Sequence, residues 1–377
     1  MSFPNPRVDT DTHDALRQLI VNLLERTTPA GDQRPCKVLP NDVYLFSHFE
    51  QALYELCHAN WAGGDPNVAV LGHCVWQPQD FTDFGVKTVE KFHSHFALDS
   101  YVRYSTLYSD KGEPVDAVFV QMPAGINSHS YDLRALREYA DQYDFCLAVV
   151  DEASGCLANV DVMPYADVLV VALARPFTGV DKFAGVAMVM NPASKYYPYI
   201  SQRVISQGSQ DLHVDLADAA TEDADDLFML RWKTINENTT AIVNALLATD
   251  HVNDICNIYH PSLSNCGDFY AQIMRPPTEE FTAGHGEMFM IEFPSEAGPR
   301  IFMRGLKFKK VHLDAVLKGP PTAPGLYGKL NGLKENQLVF CVGVEHQDEL
   351  VEAFEEAIEE VFAANVYPTQ PPVLPSS

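Results

Sequence analysis

The fold of this chain is decided by two apolar runs, AVVDEAS at 148–154 and VVALARPFTG at 170–179. Before Asp151 in the first run and before Arg175 in the second, the residues are continuously apolar rather than alternating, as in strands that are covered on both faces of a parallel sheet. The first run ends in Asp151, and Arg175 follows the second. Because ligands of parallel α/β sheets bind beyond the carboxyl ends of the strands, these two residues are the first candidates for a functional site.

The rest of the chain extends this pattern in two parts. Up to about residue 200, short β-rich runs alternate with segments whose apolar residues are spaced as in a helix. An amphipathic helix is predicted first, at 12–26. Further strands are predicted at 68–71, 117–122 and 186–190, and a further helix at 132–143. Later segments read as a long helix, three strands and a final helix, at 223–249, 288–293, 301–304, 338–342 and 347–364. Strands grouped apart from helices in this second part favour a smaller α+β domain.

We therefore predict an α/β fold with two domains. A large domain would hold a mostly parallel sheet covered by helices, and a smaller C-terminal α+β domain would pack beside it. The predicted divisions are an N-terminal helix or arm at 1–34, the large domain at 35–235, the small domain at 236–366 and a disordered tail at 367–377.

Charge and composition exclude several classes of function. The 377-residue chain has a formal net charge of −25, and such an acidic surface repels nucleic acid and anionic lipid. No apolar run approaches the roughly 20 residues that cross a bilayer, and residues 1–12 lack the order of a signal peptide. None of the eight cysteines forms a CxxC pair. We expect a cytoplasmic protein that binds no nucleic acid, membrane or metal.

Several long stretches occur in the order of one known family. They are KVLPNDVYLF at 37–46, FVQMPAGINSHSYDLRALREYADQYDF at 119–145, NVDVMPYADVLVVALARPFTG at 159–179 and GLKENQLVFCVGVEHQDELVEAF at 332–354. They resemble the cystathionine γ-synthase/β-lyase family of pyridoxal-phosphate enzymes, most closely its fungal-type branch. The resemblance covers nearly the whole chain and implies the pyridoxal-phosphate transferase fold of type I, assembled as a homo-oligomer, either a dimer or a tetramer.

The position of the family's cofactor lysine carries Arg175. The family joins a lysine amine to the cofactor's aldehyde, which needs an amine that can lose its proton. A guanidinium stays protonated and forms no useful imine. The resemblance assigns Asp151, which is kept, to the pyridine nitrogen. Without the ring, Asp151 could instead form a structural ion pair with Arg175, because a buried carboxylate needs a partner.

The residues of the family's phosphate cradle are also replaced. Ala172 and Ala174 stand where the resemblance implies a Ser and a Thr hydroxyl. In the loop FSHFEQAL at 46–53, Phe49 occupies the family's glycine and Glu50 follows it. A carboxylate repels a phosphate, and each lost charge-assisted hydrogen bond costs roughly 1.5–3 kcal/mol. We therefore expect that the protein has lost pyridoxal phosphate and uses no cofactor.

Three further positions that contact the cofactor or the substrate in the family also carry different residues here. The resemblance places Gly125 at the asparagine near the ring hydroxyl, and Val75, beside Trp76, at the stacking tyrosine. Val339 stands at the arginine that binds the carboxylate of an amino-acid substrate. These residues, with those of the cradle, are our candidates for binding an apolar small-molecule substrate.

Two histidines are candidate acid–base groups. His48 lies beside Phe49 and Glu50 on the former phosphate loop, although a solvated loop top is the alternative interpretation. His73 follows a predicted strand and precedes Cys74. Since adjacent residues of a strand point to opposite faces, a Cys–His couple is not favoured there.

Two functions remain open from these residues, and a third possibility, residual non-covalent binding of pyridoxal phosphate, is the least favoured because the phosphate contacts are missing. One is a repurposed, pyridoxal-phosphate-independent enzyme of fungal secondary-metabolite biosynthesis, with Asp151, Arg175, His48 and His73 assisting a cyclisation (a pericyclic one included) or an isomerisation of an apolar reactive substrate. The other is an inactive pseudoenzyme that serves as a partner subunit or scaffold for an active homologue. An open apolar cavity would favour the enzyme, which we prefer, and a pocket filled by an Arg175–Asp151 pair would favour the pseudoenzyme.

Overall fold

A computed structural model gives the architecture of most of the chain. It describes residues 11–26, 37–59, 67–71, 86, 88–92, 115–122, 129–151, 155, 157–173, 177, 185–207, 227–250, 252–263, 268–308, 315–318 and 334–364. Within these ranges, no helix combines the length and the apolar character needed to cross a membrane.

The large sheet is mixed, with a parallel centre and an antiparallel edge. Its strands are β1 (Val43–Phe46), β2 (Asn67–Leu71), β3 (Thr88–Phe92), β4 (Ala117–Gln121), β5 (Cys146–Asp151), β6 (Val168–Ala172) and β7 (Val186–Met190). They lie side by side in the order β1-β7-β6-β5-β4-β2-β3. Strands β3, β2, β4, β5 and β6 pair in parallel, whereas β7 pairs antiparallel with both β6 and β1. The predicted mostly parallel sheet is confirmed, and the antiparallel edge is an addition to it.

Helices cover both faces of this sheet. They are α1 (Asp11–Leu24), α2 (Phe49–Cys57), α3 (Leu133–Tyr143) and α4 (Tyr197–Gln207). Alternate strand residues such as Val118 and Val120 share a hydrophobic cluster with α1 and α3. The residues between them, such as Ala117 and Phe119, share another cluster with α2 and α4. Burial on both faces explains why the strands are apolar at every position.

Local capping places α3 where the sequence predicts a helix. The carboxylate of Asp132 accepts a hydrogen bond of 3.0 Å from the backbone N–H of Ala135, which satisfies a donor at the start of the helix. The helix ends at Tyr143 and is capped by Asp144, whose φ of 61° lies in the left-handed region. The chain then enters β5, the strand that carries Asp151.

The C-terminal part contains a second, antiparallel sheet. Its elements are α5 (Phe228–Ala248), α6 (Val252–Ile255), β8 (Asn257–Tyr259), α7 (Asp268–Ile273), β9 (Met288–Glu292), α8 (Ala297–Phe308), β10 (Ala315–Lys318), β11 (Gln337–Cys341) and α9 (Gln347–Ala363). The strand order is β10-β11-β9-β8. One face of this sheet packs on α5, α8 and α9, with an aromatic centre that includes Phe289, Phe340 and Phe354. The predicted smaller α+β unit is confirmed.

One predicted strand is a helix. Residues 301–304 were expected to be extended, but they lie inside α8. Phe302 and Leu306, four positions apart, are both buried in the cluster that α8 shares with α9. Gly305 allows this approach, because a Cβ there would lie 3.0 Å from the Cα of Ala357. Tertiary packing against α9 therefore overrides the short β-like pattern.

A pair of amides joins the two parts of the molecule. Asn236 of α5 donates from Nδ2 to Oδ1 of Asn159 at 2.8 Å, and Asn159 donates back to Asn236 at 3.2 Å. The backbone N–H groups of Gly284 and Gly286 donate to the same two side-chain oxygens. These contacts hold the segment before β9 against the connection between β5 and β6.

Candidate active site

The carboxyl ends of β4, β5 and β6 meet at one edge of the large sheet. Gln121 of β4 is in register with Val150 of β5, and Asp151 is in register with Val171 of β6. The three strands therefore end together, with Gln121, Asp151 and Ala172 as their last residues. This is the edge at which parallel α/β sheets bind ligands.

Many of the predicted site residues lie outside the described part of the chain. They are Arg175, His73, Val75, Trp76, Gly125 and Ala174. For Asp151, the structure gives the backbone position at the end of β5. The proposed roles of these residues therefore stay predictions, including the Arg175–Asp151 ion pair.

The segment that the resemblance assigns to the phosphate loop forms the start of α2. His48 is exposed and occupies the N-cap position, without a capping hydrogen bond from its side chain. Phe49 is buried in the hydrophobic cluster that contains Phe46 and Leu53, whereas Glu50 is exposed. The aromatic ring thus packs into the core, and the carboxylate reaches solvent.

The two remaining substrate-binding candidates lie in different sheets. Ala172 is half-buried at the end of β6 and packs against the cluster on the α2 face. Val339 is buried in the middle of β11, where it pairs with Met290 and Leu317. Leu338 and Phe340 belong to the small-domain core, so the pleat turns Val339 to the opposite face of that sheet.

Sequence reasoning missed Gln121. Its side chain is buried, and its Oε1 has no hydrogen-bond partner in the structure as described. A buried polar atom without a partner is uncommon and calls for an explanation. The available signal was a polar residue that ends the apolar run AVFVQ at 117–121.

Sequence reasoning also missed an anchor for the loops beyond β5 and β6. Arg231 donates from Nη1 to the carbonyl oxygen of Phe177 at 2.6 Å. The indole of Trp232 lies against Gly155, where an added Cβ would be 2.9 Å from the ring. Gly155 has a φ of 72°, a conformation that glycine adopts without strain. The start of α5 thus holds both segments that leave the candidate edge.

The described cysteines Cys57 and Cys146 are buried in the core of the large domain. Burial raises the pKa of Cys57 to about 12 and that of Cys146 well above its usual range, so neither is a thiolate near neutral pH. Among the residues with described placement, no group of three or more His, Cys, Asp or Glu side chains could hold a metal ion.

Comparisons with known proteins identify relatives at low identity. No family profile matches the chain. It is 27% identical over 259 residues to cystathionine gamma-synthase of Saccharomyces cerevisiae, covering 66% of this chain and 40% of that protein. It is 29% identical over 379 residues to the alanine racemase ungC of Aspergillus violaceofuscus, covering 93% and 62%. The chain thus spans less than two thirds of these relatives.

A solved structure shares the fold. The crystal structure of cystathionine gamma synthase from Xanthomonas oryzae pv. oryzae in complex with cystathionine matches with a TM-score of 0.70 at 17% identity. The match covers 96% of this chain and 90% of that chain. The predicted fold, with a large sheet covered by helices and a smaller C-terminal domain, is confirmed.

The expected loss of pyridoxal phosphate is wrong, because dependence on this cofactor is the norm among these relatives and structural neighbours. Among the substituted positions that the structure describes, Glu50 and Phe49 do not exclude the cofactor. Glu50 is exposed, so solvent and salt screen its repulsion of a phosphate. Phe49 packs into the core, and the start of α2 presents the end of a helix that attracts anions. With an unsatisfied polar atom at Gln121 as well, the described residues fit a bound group at this edge.

Sequence and structure thus agree on one assignment. The quoted stretches, the relatives and the fold all indicate the same group of proteins, although identity to the relatives stays below one third. The chain is similar, at low sequence identity, to cystathionine gamma-synthases and cystathionine gamma-synthase-like proteins, and it shares the fold of a solved cystathionine gamma synthase.

Proposed function

We propose that this chain is a small-molecule enzyme of fungal secondary metabolism that works at the carboxyl ends of β4, β5 and β6. Its relatives include cystathionine gamma-synthase-like enzymes of fungal secondary metabolism. The alignment with the alanine racemase carries the proposal, because it covers 93% of this chain.

Pyridoxal phosphate fits the proposed site through residues of two elements. Asp151, at the end of β5, would lie at the pyridine nitrogen, and the start of α2 would lie at the phosphate. When bound, the cofactor supplies an electron-accepting ring that stabilises negative charge at a substrate carbon. Because the guanidinium of Arg175 forms no imine, the chain would hold the cofactor through non-covalent contacts.

The reaction that we propose is an isomerisation. The named activity of the racemase relative supports this class over group transfer. An isomerisation needs a side chain that takes a proton from one position and returns it at another. His48 is an exposed imidazole at the start of α2, beside the proposed phosphate position, and it is our candidate for that transfer. A ring closure of a reactive apolar substrate would use the same orienting contacts.

The proposed substrate lacks a free carboxylate at its reacting end. Val339 is 1% exposed and lies on the face of the small sheet that turns away from the small-domain core. An isopropyl group offers no charge or hydrogen bond to a carboxylate, which would lose its solvation without compensation. Amides, esters or apolar groups meet no such penalty.

Deuterium exchange tests the proposal directly. The purified chain, with added pyridoxal phosphate in D2O, would be incubated with alanine and with alaninamide, and deuterium at the α-carbon would be measured by mass spectrometry. We expect alaninamide to exchange at least about tenfold faster than alanine, above a control with cofactor alone. Exchange of neither compound above that control would contradict the proposed isomerisation.

Variants at Val339 sharpen the test. Val339→Arg should shift the preference towards alanine, because it restores a cation for the carboxylate. Val339→Leu keeps an apolar side chain and should retain the preference for the amide. Since residue 339 is buried, circular dichroism of both variants must show a folded protein.

A further inference from the structure

Two buried glutamines of this chain differ in a way that indicates a ligand. Gln121 and Gln337 are each 4% exposed, and each lies in a strand. Gln337 donates from Nε2 to Oε1 of Glu292 at 2.9 Å and accepts at Oε1 from the backbone N–H of Lys334 at 2.9 Å. Oε1 of Gln121 accepts from no group within the described part of the chain. The two side chains are therefore equally buried, but only the carboxamide oxygen of Gln337 accepts a hydrogen bond.

The position of Gln121 places its side chain at the candidate active site. Ala117 and Phe119, at alternate positions of β4, lie in the cluster beneath α2, so the pleat turns Gln121 to that face. Ala172, at the end of β6, lies on the same face. Gln121 is the last residue of its strand, and its register partner Val150 directly precedes Asp151. The carboxamide thus lies at the carboxyl end of β4, beside the end of β5 and on the sheet face that α2 covers.

An unsatisfied acceptor at this place is unfavourable for the protein alone. Oε1 has lost water and gained no donor, so the folded state without ligand is destabilised by the desolvation of this atom. A methionine of similar shape would avoid that penalty. Local rules of folding are broken in this way at functional sites, where a ligand supplies the missing group.

We infer that Gln121 presents its carboxamide oxygen to a small molecule bound at the carboxyl edge of β4, β5 and β6, and that this molecule donates an O–H or N–H group. The acceptor is uncharged, so it suits a neutral hydroxyl or amide donor and does not select for a cation. This inference rests on the proposed function for the location of the site, and it adds a specificity-determining residue to it.

The experiment compares Gln121→Met with the matched control Gln337→Met. Thermal unfolding of each variant would be followed without ligand and with pyridoxal phosphate as the probe. We expect Gln121→Met to raise the Tm of the ligand-free chain by roughly 2–4 °C. It should weaken binding of the probe by about tenfold, as removal of one hydrogen bond predicts. Gln337→Met should lower the Tm and leave the affinity within about twofold, because its two bonds are internal.

The outcomes separate this inference from the proposed function. A lower Tm for ligand-free Gln121→Met would overturn the inference, because it would show that the carboxamide stabilises the fold by itself. Unchanged affinity for the probe in this variant would overturn it as well. If the wild-type chain binds no pyridoxal phosphate, the proposed cofactor fails, whereas a raised Tm of Gln121→Met still supports an unsatisfied acceptor kept for another donor.

Discussion

Two buried polar side chains at opposite ends of the parallel strands, Asp167 and Gln121, differ in their hydrogen bonding. At the amino-terminal edge, the carboxylate of Asp167 accepts from Arg137 Nη1 at 2.8 Å, from the backbone N–H of Leu147 at 2.8 Å and from Ser194 Oγ at 2.6 Å. At the carboxyl edge, Oε1 of Gln121 has no donor in the described structure. The bonds of Asp167 stabilise the fold, whereas the acceptor of Gln121, at the candidate site, is available to a ligand.

The largest effect expected from this comparison is at Asp167. Asp167→Ala removes the buried carboxylate partner of the half-buried Arg137 and leaves two other donors unsatisfied. We expect unfolding in urea to show a loss of about 3–5 kcal/mol. The matched control is Asp141→Ala, which removes an exposed partner of the same arginine and should cost less than about 1 kcal/mol. Equal losses of unfolding free energy in the two variants would contradict the stabilising role that we assign to Asp167.

A buried histidine extends the comparison to the small domain. His260 is 1% exposed, its Nδ1 lies 2.7 Å from Ser262 Oγ, and its Nε2 has no partner among the described residues. Burial, together with the nearby His285, lowers the pKa of His260 to about 3. The unfolded chain binds this proton near pH 6.5, so the folded state loses stability as the pH falls from about 6.5 towards 3.

At pH 5 this one group should cost about 2 kcal/mol relative to pH 7.5. Urea unfolding at the two pH values measures the difference. His260→Leu should reduce it, whereas the control His346→Ala, at an exposed position before α9, should retain it. An unchanged pH dependence in His260→Leu would assign acid sensitivity to other groups.

The smallest expected effect concerns Glu50, at the start of α2. Its carboxylate is exposed, so at physiological ionic strength its repulsion of a bound phosphate should be largely screened. Glu50→Gln should therefore change the affinity for pyridoxal phosphate by less than about threefold. Titration of the variant at low and at physiological salt checks this. A tenfold or larger gain in affinity for pyridoxal phosphate would show that the carboxylate of Glu50 opposes binding of the cofactor.

Much of the fold could be predicted because its signals are local. The strands β2, β4, β5, β6 and β7 are continuous apolar runs, and α3 has both a capping residue and helical spacing. The strand expected at 301–304 failed because its burial depends on α9, about fifty residues later in the chain. The candidate site was predicted less well. The resemblance led to Asp151, Ala172 and Phe49, but sequence could not show that Phe49 packs into the core.

By itself, the sequence determined the central strands of the large sheet, several of the helices, the acidic charge and the identity of the residues at family positions, such as Arg175 in place of a lysine. Those properties follow from residue type and spacing. Only the tertiary structure decided that Asp167 is satisfied and Gln121 is not. Whether a buried polar atom has a hydrogen-bond partner depends on residues that are far away in the chain. A local sequence pattern therefore does not show whether such a partner is present.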